Sequence, residues 1–211
     1  RWLCENSHAH LHVDLIAGLP GEDVASFARG FDRLLELKPH EIQFGILKRL
    51  RGTPIIRHTA EYGLVFDPHP PYTILATDRI DFNEMQQLVR FARYWDLIAN
   101  SGRFAHTLPL ILREMPFANF MRLSNWLYAN TDATHRIALE RLAVLVRQWL
   151  VTEGMDEEAA AELLRSDYAG QANTKLKTQA ARKQAVTEEK KAAQQDALSS
   201  LTRRQARHMA S

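Results

Sequence analysis

The run His12-Val13-Asp14-Leu15-Ile16-Ala17-Gly18-Leu19-Pro20-Gly21-Glu22 changes character halfway along. From His10 through Ala17 it is rich in apolar and β-branched residues, as strands are. Gly18-Leu19-Pro20-Gly21 then supplies a turn. Glu22 and Asp23 follow, where acidic groups favour a helix N-terminus because its unpaired N–H groups carry partial positive charge. Val24, Phe27, Phe31, Leu34 and Leu35 recur at helical spacing, and Lys38-Pro39-His40 ends that helix. Glu41 to Leu47 reads as a second strand with Ile42, Phe44 and Ile46 on one face. A basic loop follows, Lys48-Arg49-Leu50-Arg51-Gly52-Thr53, and Pro54 opens a short helix. Strand–helix–strand–helix predicts a parallel sheet with crossover helices.

Beyond Gly63 the pattern changes. Asp67-Pro68-His69-Pro70-Pro71-Tyr72 reads as an irregular connection and a domain joint. From Asp81 onward only helices are expected. Asp81 caps a long one carrying Phe82, Met85, Leu88, Phe91, Tyr94, Trp95 and Ile98 along one side, stopped by Asn100-Ser101-Gly102. Further helices are predicted over Thr107–Glu114, Pro116–Tyr128, Thr134–Val151 and Glu157–Tyr168, the last capped by Asp156. The expected class is α/β followed by all-α, divided into residues 1–70, a helical domain 71–170, and a basic helical or disordered tail 171–211.

The 211 residues suffice for one large domain or two small ones, at about 100–200 residues per domain. Hydrophobic residues are 45% and charged residues 25%, which argues against wholesale disorder. No apolar run approaches the roughly 18 residues of a membrane span, so a cytoplasmic location is expected. The single cysteine, Cys4, excludes an internal disulfide and any Cys-rich metal site built from this chain alone. Charge is uneven: residues 175–208 hold nine Lys/Arg against three acids, a net +6, while the rest is −4. The opening Arg1-Trp2-Leu3-Cys4 has no start signal, so the chain reads as a portion of a longer protein, the alternative being an N-terminus exposed by cleavage.

The run His12–Glu22, with Asp14-Leu15-Ile16-Ala17-Gly18-Leu19-Pro20-Gly21 at its centre, resembles the fifth strand of the radical S-adenosylmethionine (SAM) barrel. Ile46-Leu47-Lys48-Arg49-Leu50-Arg51-Gly52-Thr53-Pro54 is similar to the end of its sixth strand and the exit loop. Pro70-Pro71-Tyr72, Phe91-Ala92-Arg93-Tyr94-Trp95-Asp96 and Asn100-Ser101-Gly102-Arg103-Phe104 look like the helical C-terminal domain of unknown function found in cobalamin-binding radical SAM proteins. The resemblance covers roughly residues 8–150. It implies the last two βα units of a partial (β/α) barrel, followed by a larger helical domain. Its full-length cofactors would be a [4Fe–4S] cluster and SAM, with cobalamin as a third. The family's C-x-x-x-C-x-x-C loop provides three thiolates to the cluster, and this chain has one. None of these cofactors is therefore expected to bind this portion stably, and its first partner would be the N-terminal remainder of the same protein.

In such barrels ligands sit at the C-terminal ends of the strands. The resemblance implies that Ile16 packs on the adenine of SAM, that Gly18 lets the backbone approach it, and that the stretch Ile46, Leu47 and Lys48 faces the adenine edge. Read without it, a buried strand and a tight turn need no ligand at Ile16 or Gly18. Asp14 would point into the barrel, toward a substrate or a neighbouring strand. Arg49 and Arg51, at the mouth, are suited to receive phosphate or carboxylate. The alternative for this loop is a solvated cluster, or pairing with Glu41 or Glu61. His8, His10 and His12 alternate and could share a face with Asp14, but no further ligand accompanies them and no metal site is assigned. The aromatic residues Phe91, Tyr94, Trp95, Trp126, Tyr128 and Trp149 fall at helical spacing and are expected in the core.

Two functional classes remain. One is an enzyme, the C-terminal part of a radical SAM protein acting on an unknown substrate. The other is a non-catalytic helical module that binds RNA or an acidic protein through the basic tail. No membrane partner is expected.

Overall fold

The computed structural model describes residue 2, residues 6–7 and residues 9–169. The readings made for Cys4, His8 and the basic tail 171–211 lie outside the described residues. Strand β1 (His12–Ala17) leads through helix α1 (Val24–Glu36) to strand β2 (Glu41–Ile46). The two strands pair in parallel, with Asp14 opposite Gln43, Ile16 opposite Gly45 and Ala17 opposite Ile46. Helix α1 starts where the acidic pair predicts. The Asp23 carboxylate accepts from the Ser26 N–H at 2.7 Å, and the Ser26 hydroxyl accepts from the Asp23 N–H at 3.0 Å. A single 3₁₀ segment, Pro54–His58, follows the basic loop.

The stretch 67–72 is irregular as expected, but it is the loop of a small hairpin whose strands flank it. Strand β3 (Val65–Phe66) pairs antiparallel with β4 (Ile74–Ala76), and residues 67–73 form its loop. Two- and three-residue strands are too short to show alternation, and the prolines in the loop disguise them. The hairpin also joins the first sheet's end: Lys48 bridges Thr73, and the Ile74 N–H donates to the Leu47 carbonyl at 2.9 Å.

Helix α2 (Phe82–Trp95) is capped by Asp81, which accepts from the Glu84 N–H, and it continues through a π-helical turn, Asp96–Asn100. Phe82 is exposed, but Met85, Leu88, Phe91, Tyr94, Trp95 and Ile98 are buried as the spacing predicts. Helices α3 (Thr107–Leu112), α4 (Pro116–Thr131), α5 (Leu139–Thr152) and α6 (157–169) complete the described residues. Helix α5 begins five residues later than its periodicity suggests. Asp132 and Arg136 both have positive φ, and the Thr134 carbonyl is held by Arg93 Nε, so the chain before Leu139 runs as a tied loop. Contacts divide the chain into Arg1–Asp167 and Tyr168–Ser211, and of the latter only residues 168 and 169 are described.

The segments on either side of residue 70 share one core. Phe31 meets Phe91 edge-on at 5.3 Å and Trp95 at 4.8 Å, and Phe44 lies 5.0 Å from Phe91. Phe117 and Phe120 of α4 close the cluster against Phe91. Val13, Leu15 and Ala17 alternate toward the covered side of β1, while His12, Asp14 and Ile16 are exposed. One face of the β1–β2 pair is therefore sealed by helices and the other left open.

Candidate functional site

The open face is a groove of about 720 Å³. Asp14 and Ile16 from β1 and Gln43 and Gly45 from β2 line it, together with Phe44. Ile46, Leu47, Lys48 and Leu50 form its C-terminal end, and Thr73 and Val89 close one side. The pairing register explains the grouping. Asp14–Gln43 and Ile16–Gly45 are opposite partners, and residues two apart on a strand share a face. Ile16 is 41% exposed, an apolar side chain standing in the groove.

Five of the residues singled out in the sequence thus meet here: Asp14, Ile16, Ile46, Leu47 and Lys48. Gly18 does not join them. With φ of +87°, it turns the chain beneath the hairpin, and a Cβ on it would lie 2.7 Å from Ile74 Cγ2 and 3.1 Å from Met85 Cε. Its missing side chain makes room for the protein's own core. Gln43 and Gly45 were legible in principle, since they alternate with Ile42, Phe44 and Ile46. Thr73 and Val89 carry no local signal, because the hairpin and α2 bring them in from afar.

Arg49 and Arg51 line a second, smaller pocket of about 240 Å³, with Leu50, Gly52, Thr53, Ile56 and Tyr72. Leu50 belongs to both cavities. The two acids considered as partners of this loop are engaged elsewhere: Glu41 with His12 at 2.9 Å and Glu61 with His58 at 3.5 Å. The Arg49 guanidinium lies over Phe66 at 5.6 Å and Tyr72 at 5.9 Å, within the range of cation–π attraction. Its backbone N–H donates to the Tyr72 carbonyl at 3.0 Å.

The histidines gather at the opposite, N-terminal end of the strands. Glu41 accepts from His12 Nδ1, which leaves His12 Nε2 to accept from His10 Nδ1 at 2.9 Å. His40 stacks on His10 at 4.6 Å, and its Nδ1 accepts from the Leu11 N–H. These contacts tie His10 and His12 to one another and to Glu41 instead of converging them on Asp14. No group of three or more His, Cys, Asp or Glu placed to hold a metal occurs among the described residues.

Beyond the turn, Glu22 is a missed titratable group. Burial, and then the neighbouring Asp23 charge, push its carboxyl up from the ordinary value, and its Oε2 is buried without a partner. No helix among the described residues is long and apolar enough to cross a membrane.

A search of curated proteins finds no match. Residues 60–209 match a family model that begins after the basic loop and covers the hairpin and helices α2 to α6, leaving β1, α1 and β2 before it. The chain belongs to the family described as "Protein of unknown function (DUF4080)".

Proposed function

We propose that this chain is the C-terminal part of a radical SAM enzyme of the cobalamin-binding type, with β1 and β2 as the last two strands of its partial barrel. The one-sided sheet carries this reading. Its open face presents Asp14, Ile16, Gln43 and Gly45, as a barrel interior would. Its two edges differ in a way that suits a terminal pair. The outer edge of β2 is occupied: Asn100 Nδ2 donates to the Ile42 carbonyl at 2.9 Å, and Lys48 bridges Thr73. The outer edge of β1 pairs with no strand among the described residues. Unpaired strand edges call for a partner, so further strands would add beside β1. Domains of the matched family occur in radical SAM and cobalamin-binding proteins, which supports the same reading.

In this proposal Ile16 and the stretch Ile46–Lys48 would border the adenine of SAM, and Asp14 would face the substrate. Gly18 is better explained by its packing. The single Cys4 cannot supply three thiolates, so this chain does not fit the cluster by itself. The missing ligands would come from the N-terminal remainder of the protein.

The test is the DNA upstream of the Arg1 codon. The same frame, or an adjacent gene, should encode further βα units with C-x-x-x-C-x-x-C after the first. An upstream stop, a working start at this chain and no cysteine triad nearby would overturn the reading. The interaction module acting through the basic residues 175–208 would then lead, tested by salt-dependent RNA binding.

A further inference from the structure

The pocket beside the groove has the makings of an anion site with an apolar wall. Lys48, Arg49 and Arg51 stand within four positions of one another, and none makes an ion pair among the described residues. Arg49 is held in place by the hairpin, through the Tyr72 carbonyl on its N–H and the Phe66 and Tyr72 rings beside its guanidinium. A guanidinium fixed before binding loses less freedom when a ligand arrives. Arg51 follows two residues later in a tight turn, where the Thr53 N–H and hydroxyl both donate to the Leu50 carbonyl. Gly52 takes φ of +81° in that turn, with nothing within 4 Å of where a Cβ would stand. Leu50 and Ile56, each 58% exposed, supply apolar surface to the same pocket.

The geometry points to a binding site for an amphiphilic small molecule. Its oxyanion, a carboxylate or phosphate, would be held by Arg49 and Arg51, and its apolar stem would lie on Leu50 and Ile56. Guanidinium matches either oxyanion through paired N–H donors. The pocket volume of about 240 Å³ suits an anionic head and a short stem. Leu50, shared with the larger groove, would lead the stem toward Asp14 and Ile16. The placement of this pocket at a substrate mouth rests on the radical SAM reading; the binding itself does not.

The experiment titrates the 211-residue chain with sodium octanoate, octyl phosphate and inorganic phosphate, following backbone amides by NMR, without SAM or iron. A failed titration therefore speaks against this site alone, and the upstream DNA speaks to the other reading. Octanoate or octyl phosphate should saturably shift the amides of Leu50–Thr53, and whichever binds more tightly identifies the head group. Arg51→Gln should weaken that binding about tenfold or more, given the strength of charge-assisted hydrogen bonds. Leu50→Ser should weaken the octyl ligands and leave inorganic phosphate unchanged. Arg141→Gln, on exposed surface of α5, should change nothing. The proposal is overturned by absence of saturable shifts, by inorganic phosphate binding as tightly as the octyl ligands, or by equal losses in Arg51→Gln and Arg141→Gln.

Discussion

Gly18 and Ile74 lie so close that a Cβ on the glycine would approach Ile74 Cγ2 to 2.7 Å. This contact fixes the exit of β1 under the hairpin and beside α2, where Met85 Cε stands 3.1 Å from the same point. The turn that opens α1 is thereby tied to residues more than fifty positions away. A residue that resemblance assigns to ligand approach serves, in this fold, the close approach of the core.

Gly18→Ala should therefore destabilise the protein more than Gly52→Ala does. Both positions have positive φ, which alone costs a non-glycine residue about 1–2 kcal/mol. At Gly52 nothing lies within 4 Å, so that backbone cost stands alone. At Gly18 overpacking adds roughly 1–3 kcal/mol. Urea midpoints of the two variants compare them directly, and equal losses would dissociate Gly18 from the Ile74 contact.

Phe31 should be among the costliest side chains to truncate. It is fully buried and lies against Phe44, Phe91, Trp95 and Phe117. Phe31→Ala removes a ring from the place where the sheet side and the helical side meet, at about 3–5 kcal/mol. Denaturant unfolding followed by tryptophan fluorescence should show one transition shifted as a whole. Two separated transitions would mean that the sides hold independently.

Glu22 makes stability depend on pH in the less common direction for a carboxylate. Burial raises its pKa above the ordinary 4.5. Its contribution is fully present below that value, where the group is protonated in both states. It is lost as pH rises through the folded value, because the charged form is poorly accommodated. Glu22→Gln should raise the melting temperature at pH 7 and bring no gain below about pH 4. A gain that persists unchanged at low pH would place its cause outside this titration.

Asp167 should anchor α6 to the start of α3. It is 4% exposed, and it accepts from the His106 N–H at 2.7 Å and from the Thr107 hydroxyl at 2.5 Å. Asp167→Ala leaves the buried Thr107 hydroxyl and the part-buried His106 N–H without their acceptor, at about 1–3 kcal/mol each at most. Thr107→Val removes one donor, so the double variant should lose less than the sum of the singles. Additive losses in that cycle would show that the two groups do not act together.

The periodic parts of the fold were legible because burial on one face repeats along the chain. Phe27 and Phe31 on α1, and Met85 through Ile98 on α2, announce themselves at helical spacing and are buried. The face of Ile16 was not legible, because Leu15, Ile16 and Ala17 are all apolar and only the packing leaves Ile16 exposed. The hairpin was not legible, since its strands are two and three residues long and its link to the first sheet rests on Lys48 and Thr73 meeting across 25 positions. The groove was half legible for the same reason: β1 and β2 carry their own pattern, whereas Thr73 and Val89 reach it only through the path of the chain.

Helix ends divide along the same line. Asp23, Asp81 and Asp156 cap α1, α2 and α6 by accepting from N–H groups two or three residues onward, so the sequence alone determined those starts. Helices α3 and α4 have no such neighbour. The first takes its cap from Asp167, about sixty residues later, and the second from Asp32 on α1, which accepts from the Phe117 N–H at 2.8 Å. A short-range hydrogen bond is fixed by the residues that flank it. One that spans the fold exists only after packing has brought its two ends together, so only the tertiary structure decided where α3 and α4 are anchored.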